Sequence, residues 1–158
     1  MRTVRSVCER RGEAAQSLVE FSLILPVLLI LVFGVIDFGM GLRAYISVSQ
    51  ATREGARYAS VGNAAGTFTA GGTGECNGST KTTTVGKVCS TLDGLKLANI
   101  SSVSVTYPNG QSPGNSVHVS MNYSYHYITP LKALIGFFSA GSLPGTLTIS
   151  SSTDMRLE

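Results

Sequence analysis

Tryptophan is absent, histidine occurs twice and only 13% of the 158 residues are charged. So few ionisable side chains leave little material for the bases, nucleophiles and metal ligands of an enzyme site. No glycine-rich phosphate loop, Ser-His-Asp arrangement or paired-carboxylate constellation is present either, so no catalytic residue, cofactor or bound metal is expected. The two histidines, His118 and His126, lie eight positions apart on one expected strand. Eight extended residues span roughly 26 Å, too far for a shared metal, and both are expected on the surface. A net charge of +3 would suggest nucleic acid only if it clustered on a folded surface. Four of the twelve basic residues, Arg2, Arg5, Arg10 and Arg11, instead sit at the extreme N-terminus. Lys81, Lys87, Lys96 and Lys132 are scattered, so no nucleic-acid partner is expected. Disorder is excluded in turn by the 43% apolar content, and the length suits about one domain with one small core.

What is present first is a long apolar run. Phe21 to Ile36 reads FSLILPVLLILVFGVI without a charge, and after Asp37 the run FGMGL continues to Leu42. As a helix, residues 21–42 cover roughly 33 Å, against a hydrocarbon core of about 30 Å. The arginines precede the run and no basic residue follows until Arg43, which predicts a cytoplasmic N-terminus and an extracytoplasmic remainder. A cleaved signal peptide is disfavoured, because the run is too long and lacks an A-x-A site. An uncut anchor and a leader clipped before the apolar run stay open, and both retain the span. Pro26 should kink the helix near Ser22 to Leu25. Asp37 is expected at the outer interface as a solvated helix flank.

Helical character continues beyond the span. RAYISVSQATREGARYAS holds good helix formers, no proline and an (i, i+3) pair from Glu54 to Arg57, so one helix is predicted from about residue 16 to about 60. Ser47, Ala51, Gly55 and Ala59 recur every fourth position, a strip of small side chains on which another helix or a sheet can approach closely.

Residues 62–84 are rich in Gly, Ser and Thr and read as a loop. Val85, Val88, Cys89, Leu92 and Leu95 predict a short amphipathic helix over 83–96. Val103, Val105 and Tyr107 form one face of a strand. The turn cluster PNGQSPG then leads into a second strand with Val117, Val119, Met121, Tyr123, Tyr125 and Tyr127 on one face. LKALIGFF after Pro130 reads as a helical turn or two, and Leu147, Ile149, Ser151, Thr153 and Met155 alternate as a third strand. The expected fold is α+β, a transmembrane helix running into a small head with a three-stranded antiparallel sheet over 85–158. Cys76 and Cys89 are expected outside the cytoplasm with no zinc-like ligand set nearby, so a disulfide is expected between them. Cys8 precedes the span and would be lost with a leader.

The stretch AAQSLVEFSLILPVLLILVFGVIDFG, followed by ATREGARYA, resembles the TadE-like family, the minor pseudopilins of the tight-adherence (Flp pilus) system. The terminal TDMRLE is similar to that family's usual ending. The resemblance covers residues 12–61 closely and 123–131 and 148–158 more loosely. It implies a type IV pilin-like precursor whose basic leader, residues 1–15, is cut by a prepilin peptidase to leave an acidic residue at mature position five. Glu20 followed by Phe21 fits that acidic-aromatic pair, which puts the cut between Ala15 and Gln16. The family usually has Gly where Ala15 stands; a cut after Gly12 would move Glu20 to mature position eight. The implied partners are the membrane, the peptidase, other pilin and minor pseudopilin subunits and the inner-membrane assembly platform. The implied role is structural, in pilus assembly and surface adhesion; the alternative is an uncleaved envelope anchor that binds partners without entering a filament. Glu20 itself has two readings: a favourable partner of the helix macrodipole, or the counter-charge for a neighbour's new amino terminus.

Overall fold

A computed structural model describes residues 3–69, 73–76, 82–92, 94–138 and 144–158. The element order is α1 (Thr3–Ser60), β1 (Phe68–Thr69), β2 (Thr73–Gly74), α2 (Thr84–Thr91), a 3-10 turn (Leu97–Asn99), β3 (Ile100–Thr106), β4 (Ser116–His126), α3 (Leu131–Phe138) and β5 (Thr146–Arg156). This is the α+β fold expected, one long apolar N-terminal helix followed by a three-stranded antiparallel sheet. The helix starts earlier than expected and passes through Pro26. Residues 70–72 and 77–81 of the glycine-rich loop, Lys81 among them, lie outside the described residues.

The chain divides into two compact units: residues 1–38 with 127–143, and residues 39–126 with 144–158. Within the second unit the distal part of α1 is the spine of the core. Ala44, Val48, Ala51, Thr52, Gly55, Ala56 and Ala59 are buried and recur three or four residues apart, the i, i+3, i+4 spacing of one helical face. That face meets the sheet, whose strands lie in the order β3-β4-β5, and the helix α2. Val117, Val119, Met121, Tyr123 and Tyr125 point inward from β4, the pattern that period-two alternation dictates. On β5 the same face carries Ile149, Ser151 and Thr153, opposite Tyr123, Met121 and Val119. The two hydroxyl residues suit a polar neighbour, because Thr52 is fully buried and its hydroxyl lies 3.0 Å from Ser151 Oγ while Thr153 donates to it at 3.4 Å.

Two local features depart from simple periodicity. A bulge between Ile100 and Ser102 shifts the register, so Ile100 and Val103 are both buried although they lie three apart. The helix expected over 83–96 spans only Thr84–Thr91. Thr83 caps it by accepting from the Gly86 N–H at 3.2 Å, but Leu92 turns to φ −73°, ψ 90° and Gly94 follows at φ 70°. Leu95 thus continues the apolar spacing without continuing the helix.

The tail is hydrogen-bonded to the rest of the head. Arg156 Nε donates to Gly114 O at 2.8 Å, Leu157 N to Asn115 O at 2.7 Å and Glu158 N to Ser60 O at 3.0 Å. The last residue therefore satisfies a carbonyl at the C-terminal end of α1, one of the four that a helix leaves open. Leu157 is buried.

Candidate functional site

In residues 15–36 no side chain is buried. Leu18, Phe21, Leu23, Ile24, Val27, Leu31 and Val35 are all exposed large hydrophobics. An apolar surface of that extent on a helix cannot be stable in water and requires lipid or other helices around it. The helix is long and apolar enough to cross a membrane, and among the described residues it is the one helix that is.

The residues of the expected processing site, Ala15, Gln16, Glu20 and Phe21, are all exposed. Gln16 Nε2 donates to Glu20 Oε1 at 3.2 Å across one helical turn, so the two share a face. Gly12 lies further along the same helix, on the N-terminal side.

Asp37 corrects the sequence reading. It is not a solvated flank but 4% exposed. Its Oδ1 accepts from the backbone N–H groups of Ile128 at 3.0 Å and Thr129 at 3.2 Å, and its Oδ2 accepts from the Thr129 hydroxyl. All four groups belong to the first unit. A carboxylate with three donors is satisfied without water, which is what a charged side chain needs near hydrocarbon. Sequence reasoning placed Asp37 at the interface but could not see its partners about ninety residues away.

The small-residue strip is distributed over the second unit. Ala51, Gly55 and Ala59 are buried and Ser47 is half-buried. A side chain on Gly55 would meet Val88 Cγ2 at 2.2 Å and Val119 Cγ1 at 3.6 Å. The strip thus faces the protein's own α2 and sheet. On the flank of that contact, Glu54 accepts from Arg57 at 2.9 and 3.0 Å and faces Lys87 Nζ at 3.5 Å. The Arg57 hydrogen bonds, opposed in part by desolvation, hold the Glu54 carboxyl below its ordinary range, with the charges of Arg57 and Lys87 adding to the effect. A depressed carboxylate stabilises the fold above the unfolded value and loses that contribution as pH falls through the folded one, a small effect for a surface pair.

Cys76 and Cys89 are joined in a disulfide and both are buried. The bond ties the loop before α2 to α2 itself. Chain-entropy considerations give about 3 kcal/mol for a loop of this length. Cys76→Ser with Cys89→Ser is therefore expected to lower the unfolding free energy of the head by about 3 kcal/mol in a urea titration followed by far-UV circular dichroism. A loss below about 1 kcal/mol would show that the unfolded chain is already constrained there.

His118 pairs with Asp154 across β4 and β5, Nδ1 to Oδ1 at 2.7 Å, while His126 Nδ1 lies 3.2 Å from Ser124 O. Among the described residues no group of three or more His, Cys, Asp or Glu side chains could hold a metal ion.

These features define a class: α+β proteins in which one helix is apolar and uncovered over one stretch, here residues 15–36, and forms the spine of a small antiparallel head at its end. The family model described as TadE-like protein matches residues 15–57, the part of α1 from after the arginine-rich segment through Ser47, Ala51 and Gly55 of the small-residue strip. No curated protein and no solved structure matches the chain.

Proposed function

We propose that the chain is a minor pseudopilin, a non-enzymatic structural subunit acting in assembly of a tight-adherence pilus and so in surface adhesion. The observation that carries this reading is the division of one helix into two regimes, uncovered and apolar over 15–36, buried as a head spine from Ala44. A free-standing soluble protein has no use for the first regime; a subunit that moves from bilayer to helical bundle does, because lateral helix packing replaces lipid contacts. The TadE-like match over 15–57 supports the same reading. In it, the arginine-rich end faces the cytoplasm and the head is extracytoplasmic. A prepilin peptidase cuts between Ala15 and Gln16, and the new α-amino group arises one helical turn from Glu20, on the face that Gln16 and Glu20 already share. There the carboxylate neutralises an amino terminus, its own or a neighbour's. Partners are other pilin and pseudopilin subunits and the inner-membrane assembly platform.

Intact mass and N-terminal sequencing of the membrane-extracted protein test the reading. The expected mature chain begins at Gln16 and is recovered in sheared surface filaments. An intact Met1, with all material in the membrane fraction, would instead establish the uncleaved anchor, a reading favoured by the alanine at position 15.

A further inference from the structure

The first unit contains a second apolar segment besides the span. Between His126 and Asp154 the only charged residue in the sequence is Lys132, and residues 131–138 read LKALIGFF. The structure forms that stretch into α3, whose first turn is closed by Leu134 N donating to Pro130 O at 3.1 Å. We infer that residues 128–138 lie in the outer interface of the bilayer as a second, non-spanning membrane contact, held at that depth by Asp37. The inference rests on residues 21–42 spanning the membrane.

Depth follows from the helix. Asp37 lies seventeen residues after Glu20, about 26 Å along the axis, against a hydrocarbon thickness of about 30 Å. Its carboxylate is therefore near one boundary of the hydrocarbon. The N–H groups of Ile128 and Thr129 are within 3.2 Å of that carboxylate, so this segment enters at the same level. At that level Ile128 is 63% exposed, beside Phe38 at 74% and Val35 at 65% on α1, while Leu131, Leu134 and Ile135 of α3 are half-buried. Exposed apolar residues continuous with the surface of a membrane span require the same solvent as the span. Eight residues of helix extend about 12 Å, enough to lie along an interface and too few to cross it. Lys132 is exposed near the start of α3, where a long basic side chain reaches headgroups while its stem covers apolar surface. The occupant is thus lipid at the headgroup-acyl boundary, and the single positive charge demands no particular anionic headgroup.

Because the natural chain has no tryptophan, one introduced indole is an unambiguous reporter. The full chain carrying Ile128→Trp or Ala133→Trp, both at exposed positions, would be reconstituted at low protein-to-lipid ratio in two sets of phosphatidylcholine vesicles, one with shallow-brominated and one with deep-brominated acyl chains. Val32→Trp reports the span and Tyr107→Trp the head. Ile128→Trp and Ala133→Trp are expected to emit to the blue of Tyr107→Trp and to be quenched in the shallow set to within about twofold of Val32→Trp in the deep set. Water-like emission without bromolipid quenching at both positions would overturn the inference, as would blue emission without quenching, the mark of a protein cover. If Val32→Trp also escapes quenching, the span itself is refuted; if Val32→Trp alone is quenched, the span stands and the second contact falls.

Discussion

Gly55→Leu is expected to unfold the head, lowering its stability by about 3 kcal/mol or more, whereas Gly55→Ala should cost about 1–2 kcal/mol. The first added carbon already falls 2.2 Å from Val88 Cγ2. Val88 cannot step aside, because it is fully buried and its branched Cβ leaves few rotamers in a helix. Alanine gains about 1 kcal/mol of helix propensity over glycine, which offsets part of the clash; leucine gains no more and adds three further carbons. Urea titrations of the detergent-solubilised chain, followed by tyrosine emission and circular dichroism, measure the difference. Trimming the obstacle supplies a control: Gly55→Ala combined with Val88→Ala should be less destabilising than the two single costs added, since the alanine then occupies space that Val88 has vacated. Full additivity would show that the two residues do not compete for one volume.

The second large effect is local. Asp37→Ala removes the acceptor of two backbone N–H groups and one hydroxyl in the first unit. Bonds to an ionised acceptor are worth about 1.5–3 kcal/mol each, though water reaching the site recovers part of the loss. The amides of Ile128 and Thr129 are expected to exchange hydrogen about 100-fold faster, corresponding to about 3 kcal/mol of lost local protection. Asp37→Asn, which keeps one carbonyl oxygen in place, should accelerate exchange about tenfold. The amides of β4 that pair with β3 and β5 lie in the other unit, and their protection is expected to stay unchanged. Equal exchange rates at Ile128 in the natural chain and Asp37→Ala would mean that the carboxylate does not secure the turn.

These two positions mark how far the sequence can be read. Gly55 stands in a strip whose fourfold spacing announces close approach, and the apolar alternation of Val117 to Tyr125 announces a strand with one buried face. What approaches Gly55 is another matter, because a helix of a neighbouring subunit and the protein's own sheet demand the same small side chains. Only the three-dimensional pairing with Val88 and Val119 distinguishes them. The hydroxyls of Ser151 and Thr153, which look like interruptions in an apolar strand face, become intelligible once Thr52 is opposite them. Asp37 was opaque for a different reason. An isolated carboxylate at the end of an apolar run has a plausible local explanation in water, and its actual partners are backbone groups, which carry no residue-type signature. The shortened α2 and the bulge at Ile100 belong to the same category, since both are decided by backbone geometry that apolar spacing does not encode.

Asp37 precedes its two backbone donors by 91 and 92 residues. On a ribosome working at about 5–20 residues per second, the carboxylate is made several seconds before anything exists to receive it. During that interval the nascent helix carries a carboxylate without these donors, and water must serve as its temporary ligand. Biogenesis therefore has a closing step: synthesis of β4, arrival of the Ile-Thr-Pro turn, and expulsion of that water as the long loop is drawn shut. Chains truncated before residue 128 should never complete it, and their Asp37 should stay hydrated.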